Sequence, residues 1–285
     1  MKIKKVITCG CSFSDSTPDG NGNFLTWPFQ LENELSSLGY NLNYTHRGLP
    51  SQGQELIQKK ATLAITEALQ EYAPDEIAVI IMWSGTERKS FYVDNPDLIK
   101  HITNEWNKSK AYWHLQFADL KNEASSKIQL TEPGSNYFYN NGEGWYICAF
   151  GRDNNKLTDG YFYANNSNIA AVHISIENII FLQNLCKVKS IRLFQQFYKS
   201  YSFNDIEEKK DHQIVKYLFN ELDHDSIISK EGMHNFLIRN GGDRYVTDPQ
   251  PGMGRYGTHP NQLGHSFYVK NKLIPRLNEL GFFND

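Results

Sequence analysis

Two short segments, near opposite ends of the chain, carry residues that could do acyl-transfer chemistry. Ser12 follows Gly10-Cys11 directly after a short apolar run, and His259 stands before Pro260 ahead of the last helical pattern. A serine hydroxyl becomes a nucleophile when an imidazole accepts its proton. Each residue also has a structural interpretation, because serines cap helices and most histidines are exposed or hydrogen-bonded without a catalytic role. Both segments are therefore candidates, each with its alternative open.

The residues around these segments predict alternating strands and helices. We predict four strands and five helices: strands at 4–9, 40–45, 77–83 and 191–194, and helices at 28–38, 54–72, 169–186, 205–222 and 263–280. The first three strands and the helices between them follow a β-α-β-α-β order, which indicates a parallel sheet with helices on both faces. Ligands bind beyond the carboxyl ends of such strands. Strand one is expected to end at Gly10 and strand three near Ser84, which places Ser12 at that edge.

The middle of the chain breaks the alternation. Residues 88–168 are rich in Asn, Tyr, Trp and Gly, with a possible helix near 95–125 and loops with short hairpins from 134 to 160. We interpret 88–168 as an insertion or cap between the third and fourth strands of a single domain spanning 1–285. Its aromatic residues could line a sugar-binding cleft or simply pack the cap.

Composition excludes several classes of protein. The chain has 285 residues, a net charge of −3 and an isoelectric point near 6.3, so we predict no nucleic-acid partner. No apolar run approaches the ~20 residues of a membrane span, and the first residues lack the apolar region of a signal peptide. We therefore expect a cytoplasmic protein without a membrane partner. The four cysteines lack Cys-x-x-Cys spacing, and we predict no cofactor and no metal.

Taken together, the two segments resemble the blocks of the SGNH (GDSL-type) hydrolases. That resemblance implies a three-layer α/β fold with about five parallel strands in flavodoxin-like order, Ser12 as nucleophile and His259 as base. It also implies an oxyanion hole. Its donors would be the Ser12 N–H, a group in the loop after strand two and a residue at the end of strand three. For the loop donor Gly48, Ser51 and Gly53 remain open, and Thr86 stands where the family has Asn.

The chain also departs from the family pattern. Cys11 replaces the family's Asp before the serine, and Tyr256 occupies the position of the Asp that orients the histidine. Either Asp248, ahead of Asp243, folds back to His259, or the site is a Ser–His dyad. We favour the dyad, because no acidic residue occurs between Pro249 and His259.

The resemblance sets the functional expectation. It implies a serine esterase that removes a small acyl group, acetate foremost, from a carbohydrate or another polar small molecule. The departures keep a second class open, a catalytically silent binding module on the same fold. The chain is similar to a divergent branch common among bacteriophage and marine microbial sequences, so the alternative includes a virion-associated protein. No oligomeric state follows from the sequence.

Overall fold

The computed structural model describes residues 2–15, 25–48, 52–86, 88–93, 116–118, 144–149, 168–246 and 259–284. Within them lies a parallel sheet of five strands: β1 (Lys5–Asp15), β2 (Asn43–Gly48), β3 (Ile77–Trp83), β7 (Arg192–Phe197) and β8 (Ile227–Ser229). Their order across the sheet is β2-β1-β3-β7-β8, which is the flavodoxin-like order. The predicted α/β fold with about five parallel strands is confirmed.

The strands are rich in apolar residues because both faces of the sheet are buried. Every residue of β3 is buried, and helices cover the sheet on each side. One face packs against α1 (Trp27–Ser37) and the C-terminal elements α8 (Gln262–Tyr268), a π-helical turn (Val269–Leu273) and α9 (Ile274–Glu279). The other face packs against α2 (Gln54–Ala68) and α3 (Asn168–Val188).

The helix predicted at 205–222 is wrong, because the structure divides this region. Helix α4 spans Ser200–Glu208 and α5 spans Lys216–Asn220, with turns between them. Residues 210–214 are all exposed, so no apolar stripe holds a helix there, and Val215 then returns to the core. The short helices α6 (Met233–Gly241) and α7 (Asp243–Val246) follow β8.

The insertion lies where it was predicted, after the third strand of the parallel sheet. It contains β4 (Arg88–Val93), β5 (Gln116–Ala118) and β6 (Gly144–Ala149), which form an antiparallel sheet in the order β4-β6-β5. The possible helix near 95–125 is wrong at β5, where backbone pairing with β6 replaces helical hydrogen bonds. The remainder of that prediction lies outside the described residues, and a role as a cap stays a prediction.

Helix α3 is the most apolar helix of the described chain. Its segment 169–188 is long and apolar enough to cross a membrane by length and composition, so the expectation that no segment reaches that threshold is wrong. One face of the helix, with Val172, Ile176, Ile179 and Leu182, is buried against the parallel sheet. This packing accounts for the apolar character of that face, and the absence of a membrane partner stays a prediction.

Candidate active site

The nucleophile candidate lies in an irregular part of β1. Pairing of β1 with β3 runs in step from Lys5 to Gly10 and stops there, whereas Gly10 and Asp15 both pair with Gly48 of β2. The prediction that strand one ends at Gly10 is therefore wrong: the strand continues to Asp15 after a bulge. Ser12 lies in this bulge at the carboxyl end of the sheet, where it is half-buried.

Two glycines let the bulge pack closely against the strands. A Cβ on Gly48 would lie 1.5 Å from the Ser14 carbonyl oxygen. A Cβ on Gly10 would lie 2.4 Å from the Ser14 hydroxyl oxygen and 2.8 Å from the Met82 carbonyl oxygen. Because real Cβ atoms do not approach other atoms so closely, a side chain at either position would displace the bulge that carries Ser12.

His259 meets Ser12 although 247 residues separate them along the chain. The Ser12 Oγ lies 2.8 Å from the His259 Nε2, within the range for proton transfer from a hydroxyl to a base. The Phe13 ring packs edge-on against the imidazole, with ring centroids 5.2 Å apart. His259 is half-buried, so its Nε2 is held against Ser12 while the pair remains partly open to solvent.

The start of α8 fixes the segment that carries His259. The Asn261 side-chain oxygen accepts the Gly264 N–H at 2.8 Å, which caps the helix. The Asn261 N–H donates to the Tyr245 carbonyl at 2.9 Å, and its side-chain amide donates to the Arg244 carbonyl at 2.9 Å. Pro260, between His259 and Asn261, is buried. These bonds tie the segment to α7.

The group that orients His259 is not shown by the described residues. Asp248 lies outside them, and of Asp243 the structure describes the backbone of α7 but not the side chain. The preference for a Ser–His dyad over a triad therefore stays a prediction.

The predicted oxyanion donors occupy different environments. The Gly53 N–H donates to the Ser90 Oγ at 2.8 Å, so this N–H would have to exchange its partner to bind an oxyanion. Gly48 packs against Ser14, as described above. Ser51 lies outside the described residues. The roles of the Ser12 N–H and of all three loop residues stay predictions.

Thr86 already has an acceptor for its hydroxyl. It is buried after β3, and its Oγ1 donates to a carboxylate oxygen of Asp205, on α4, at 2.9 Å. A hydroxyl carries a single proton, so Thr86 cannot donate to Asp205 and to an oxyanion at once. Sequence reasoning missed Asp205, because α4 is remote from every motif.

Two buried glutamines were also missed by the sequence analysis. The Gln52 side-chain amide donates to the Gly10 carbonyl, and the Gln54 amide donates to the Ser84 carbonyl at 2.9 Å. They join the loop after β2 and the start of α2 to Gly10 within β1 and to Ser84 after β3. Because glutamines are mostly exposed in folded proteins, no local pattern indicates that these two are buried.

Cys11 does not compete with Ser12 as a nucleophile. Its side chain is fully buried in the core, as are those of Cys9 and Cys186. Burial raises the pKa of the Cys9 and Cys186 thiols to about 12, so both stay protonated. Within the described part of the chain, no cluster of three or more His, Cys, Asp or Glu side chains could hold a metal ion.

A second hydroxyl contacts an imidazole elsewhere in the sheet. The Thr8 Oγ1 lies 2.7 Å from the His46 Nδ1, and the His46 Nε2 lies 3.0 Å from a Glu32 carboxylate oxygen. Thr8 is fully buried within β1. Sequence analysis did not identify this group, and its burial excludes contact with a substrate.

Comparison with known proteins adds a set of structural similarities. No protein-family model and no curated protein matches the sequence. Three solved structures are similar to this chain over nearly their whole length. One, "TesA", has 12% sequence identity and a TM-score of 0.42, and the similarity covers 97% of this chain and 99% of that one. A lipase/acylhydrolase from Enterococcus faecalis has 11% identity and a TM-score of 0.42, with 98% of this chain and 97% of that one covered. The third, LAE5, is described as an alpha/beta hydrolase enzyme from the metagenome of Lake Arreo, Spain. It has 9% identity and a TM-score of 0.41, with 99% of this chain and 97% of that one covered.

The strand order β2-β1-β3-β7-β8 is the flavodoxin-like order that the sequence motifs implied. Membership of the bacteriophage and marine microbial branch stays a prediction.

Proposed function

We propose that the protein is a serine esterase that hydrolyses small acyl esters. The observation that carries this proposal is the contact between the Ser12 hydroxyl and the His259 Nε2 at the carboxyl end of the sheet. A half-buried serine beside an imidazole is the arrangement that acyl transfer requires. The finer assignments, an acetyl group on a carbohydrate or another polar molecule, rest on the polar, aromatic composition of the insertion.

The proposed reaction proceeds in two halves. His259 accepts the Ser12 proton while Ser12 Oγ attacks the ester carbonyl. The resulting tetrahedral intermediate collapses, the bond to the alcohol oxygen breaks, and His259 protonates the departing alcohol. His259 then accepts a proton from water as the water attacks the acyl-serine. The bond between the acyl carbon and Ser12 Oγ breaks, His259 returns the proton to Ser12, and the acid leaves. Water and the ester are the only reactants, and no atom changes its oxidation state.

The tetrahedral intermediate needs hydrogen-bond donors for its oxyanion. We assign this role first to the Ser12 N–H and to an N–H of the loop after β2. Loss of one oxyanion donor typically costs ~2.7–4 kcal/mol of transition-state stabilisation. Because the Thr86 hydroxyl is used by Asp205, its contribution requires that it turn away from Asp205 when substrate binds.

The second candidate function is a silent binding module. The use of the Thr86 hydroxyl by Asp205 and of the Gly53 N–H by Ser90 favours it, because both withdraw donors from the proposed oxyanion hole. The Ser12–His259 contact favours the esterase, since binding alone does not require a base beside a hydroxyl.

Hydrolysis of p-nitrophenyl acetate distinguishes the two candidates. We expect release of p-nitrophenol by the wild-type protein, and its loss in both Ser12→Ala and His259→Ala. Thr8→Val is the matched control, because it removes an aliphatic hydroxyl that contacts an imidazole at a buried position, and it should leave the rate unchanged. Hydrolysis that persists in Ser12→Ala would falsify the proposal.

A further inference from the structure

Trp27, the first residue of α1, donates a hydrogen bond to each half of the candidate site. Its backbone N–H donates to the His265 Nδ1 at 3.0 Å, and its indole N–H donates to the Ser14 Oγ at 2.7 Å. All three side chains are buried. Trp27 therefore joins two segments that are far apart in the chain, the bulge after Gly10 and helix α8.

Ser14 is part of the bulge that presents Ser12. Its hydroxyl fills the space beside Gly10, where a Cβ would come within 2.4 Å of the Ser14 Oγ. The bond from the Trp27 indole fixes the Ser14 side chain in that space. A change in this bond would act on the backbone two residues from the nucleophile.

His265 is the corresponding residue on the side of the base. It lies six residues after His259, in the helix that Asn261 caps. Burial, and secondly the nearby His259, lower the pKa of His265 to about 3, so the ring is neutral at neutral pH. Since the Nδ1 accepts the Trp27 N–H, the ring proton lies on Nε2. A neutral His265 adds no positive charge beside His259 when His259 accepts a proton.

We propose that Trp27 is a positioning residue, which acts through Ser14 and His265 to hold His259 against Ser12. The inference rests on the proposed function, since positioning is measured through the reaction of that pair. Proton transfer depends strongly on this distance, and a displacement of about 1 Å can cost about a hundredfold in rate.

The central test compares two identical substitutions. Trp27→Phe removes the indole donor to Ser14, and Trp83→Phe removes an equally buried indole that donates to the Gln195 Oε1 at 2.9 Å. Trp83 packs on the opposite face of the sheet from Trp27. We expect Trp27→Phe to lower kcat for p-nitrophenyl acetate about tenfold to a hundredfold with KM unchanged, and Trp83→Phe to keep the wild-type kcat. Equal losses in both variants, or none in either, would overturn the inference.

A second pair of variants tests the side of the base and provides a rescue. His265→Leu removes the acceptor of the Trp27 N–H, whereas His265→Asn places a side-chain oxygen near the position of the Nδ1. We expect Asn to restore at least half of the kcat that Leu loses. If Asn and Leu reduce kcat equally, while both variants melt as cooperatively as the wild type, His265 has no positioning role and the inference is wrong.

An inactive wild-type protein would refute the proposed function but not this inference. In that case the ¹⁵N resonances of the His259 ring, assigned by their loss in His259→Gln, report the position of the imidazole directly. We expect Trp27→Phe to shift them and Trp83→Phe to leave them in place. Unchanged resonances in Trp27→Phe would overturn the inference regardless of activity.

Discussion

The described part of the protein contains a second pair of an aliphatic hydroxyl and an imidazole that resembles Ser12–His259 in distance. Ser12 and His259 are 2.8 Å apart, and Thr8 and His46 are 2.7 Å apart. The second pair even has a carboxylate, Glu32, on the other ring nitrogen. The described contacts of the Thr8 group therefore join a hydroxyl, an imidazole and a carboxylate, which are the groups of a catalytic triad.

Location separates the two pairs. Thr8 and His46 are direct partners in the pairing of β1 with β2, and Thr8 is fully buried. Ser12 lies beyond the regular pairing, in a half-buried bulge at the carboxyl end of the sheet, where ligands bind in parallel α/β folds. A hydroxyl within reach of an imidazole is therefore insufficient evidence for a nucleophile. Access to substrate decides between the two.

The largest expected effect comes from replacing each imidazole in turn. His259→Gln should reduce kcat/KM for p-nitrophenyl acetate by about 10³-fold or more, since the proton acceptor of Ser12 is lost. His46→Gln should leave kcat/KM unchanged and lower the unfolding free energy by about 1–3 kcal/mol, because Thr8 and Glu32 lose a partner. Comparable losses of activity in the two variants would contradict a catalytic role that belongs to His259 and not to His46.

The next largest effect tests the close packing of Gly48 against the bulge that carries Ser12. Gly48→Ala should lower the unfolding free energy by about 3 kcal/mol or more and reduce kcat, because its Cβ would displace the Ser14 backbone. Gly39→Ala is the control: Gly39 has a φ of 87° but nothing within 4 Å of its Cβ, so about 1 kcal/mol and no change in kcat are expected. Urea unfolding and steady-state rates measure both. A Gly48→Ala protein that is as stable as the Gly39→Ala protein would contradict the described packing.

Sequence alone predicted the frame of the molecule better than its site. Strand β3 and the five-stranded order could be predicted, because buried parallel strands are continuous apolar runs between helices. The bulge after Gly10 could not be predicted, because it depends on the close approach of Ser14 to Gly48, which is a tertiary contact. Likewise, Thr86 was predicted by its position in a motif, but its bond to Asp205 joins elements 119 residues apart. Local patterns do not contain such contacts.

The smallest expected effect concerns pH and the imidazole beside His259. The pKa of His265 is about 3 in the folded protein, against an ordinary 6.5. The unfolded chain therefore binds a proton first as the pH falls, and the unfolding free energy decreases by about 1.4 kcal/mol per pH unit below ~6.5. His265→Asn cannot titrate, so its unfolding free energy should fall by about 2 kcal/mol less than that of the wild type between about pH 7 and 5. Identical pH dependence in the two proteins would show that His265 is not buried in its neutral form.

The most direct test of the central claim is covalent labelling by a fluorophosphonate, followed by peptide mass spectrometry. An activated serine reacts with this probe and an unactivated hydroxyl does not. We expect a single phosphonylated residue, Ser12, with labelling abolished in His259→Gln and unchanged in His46→Gln. A wild-type protein that stays unlabelled, or that is labelled at Ser12 equally well without His259, would contradict the central claim.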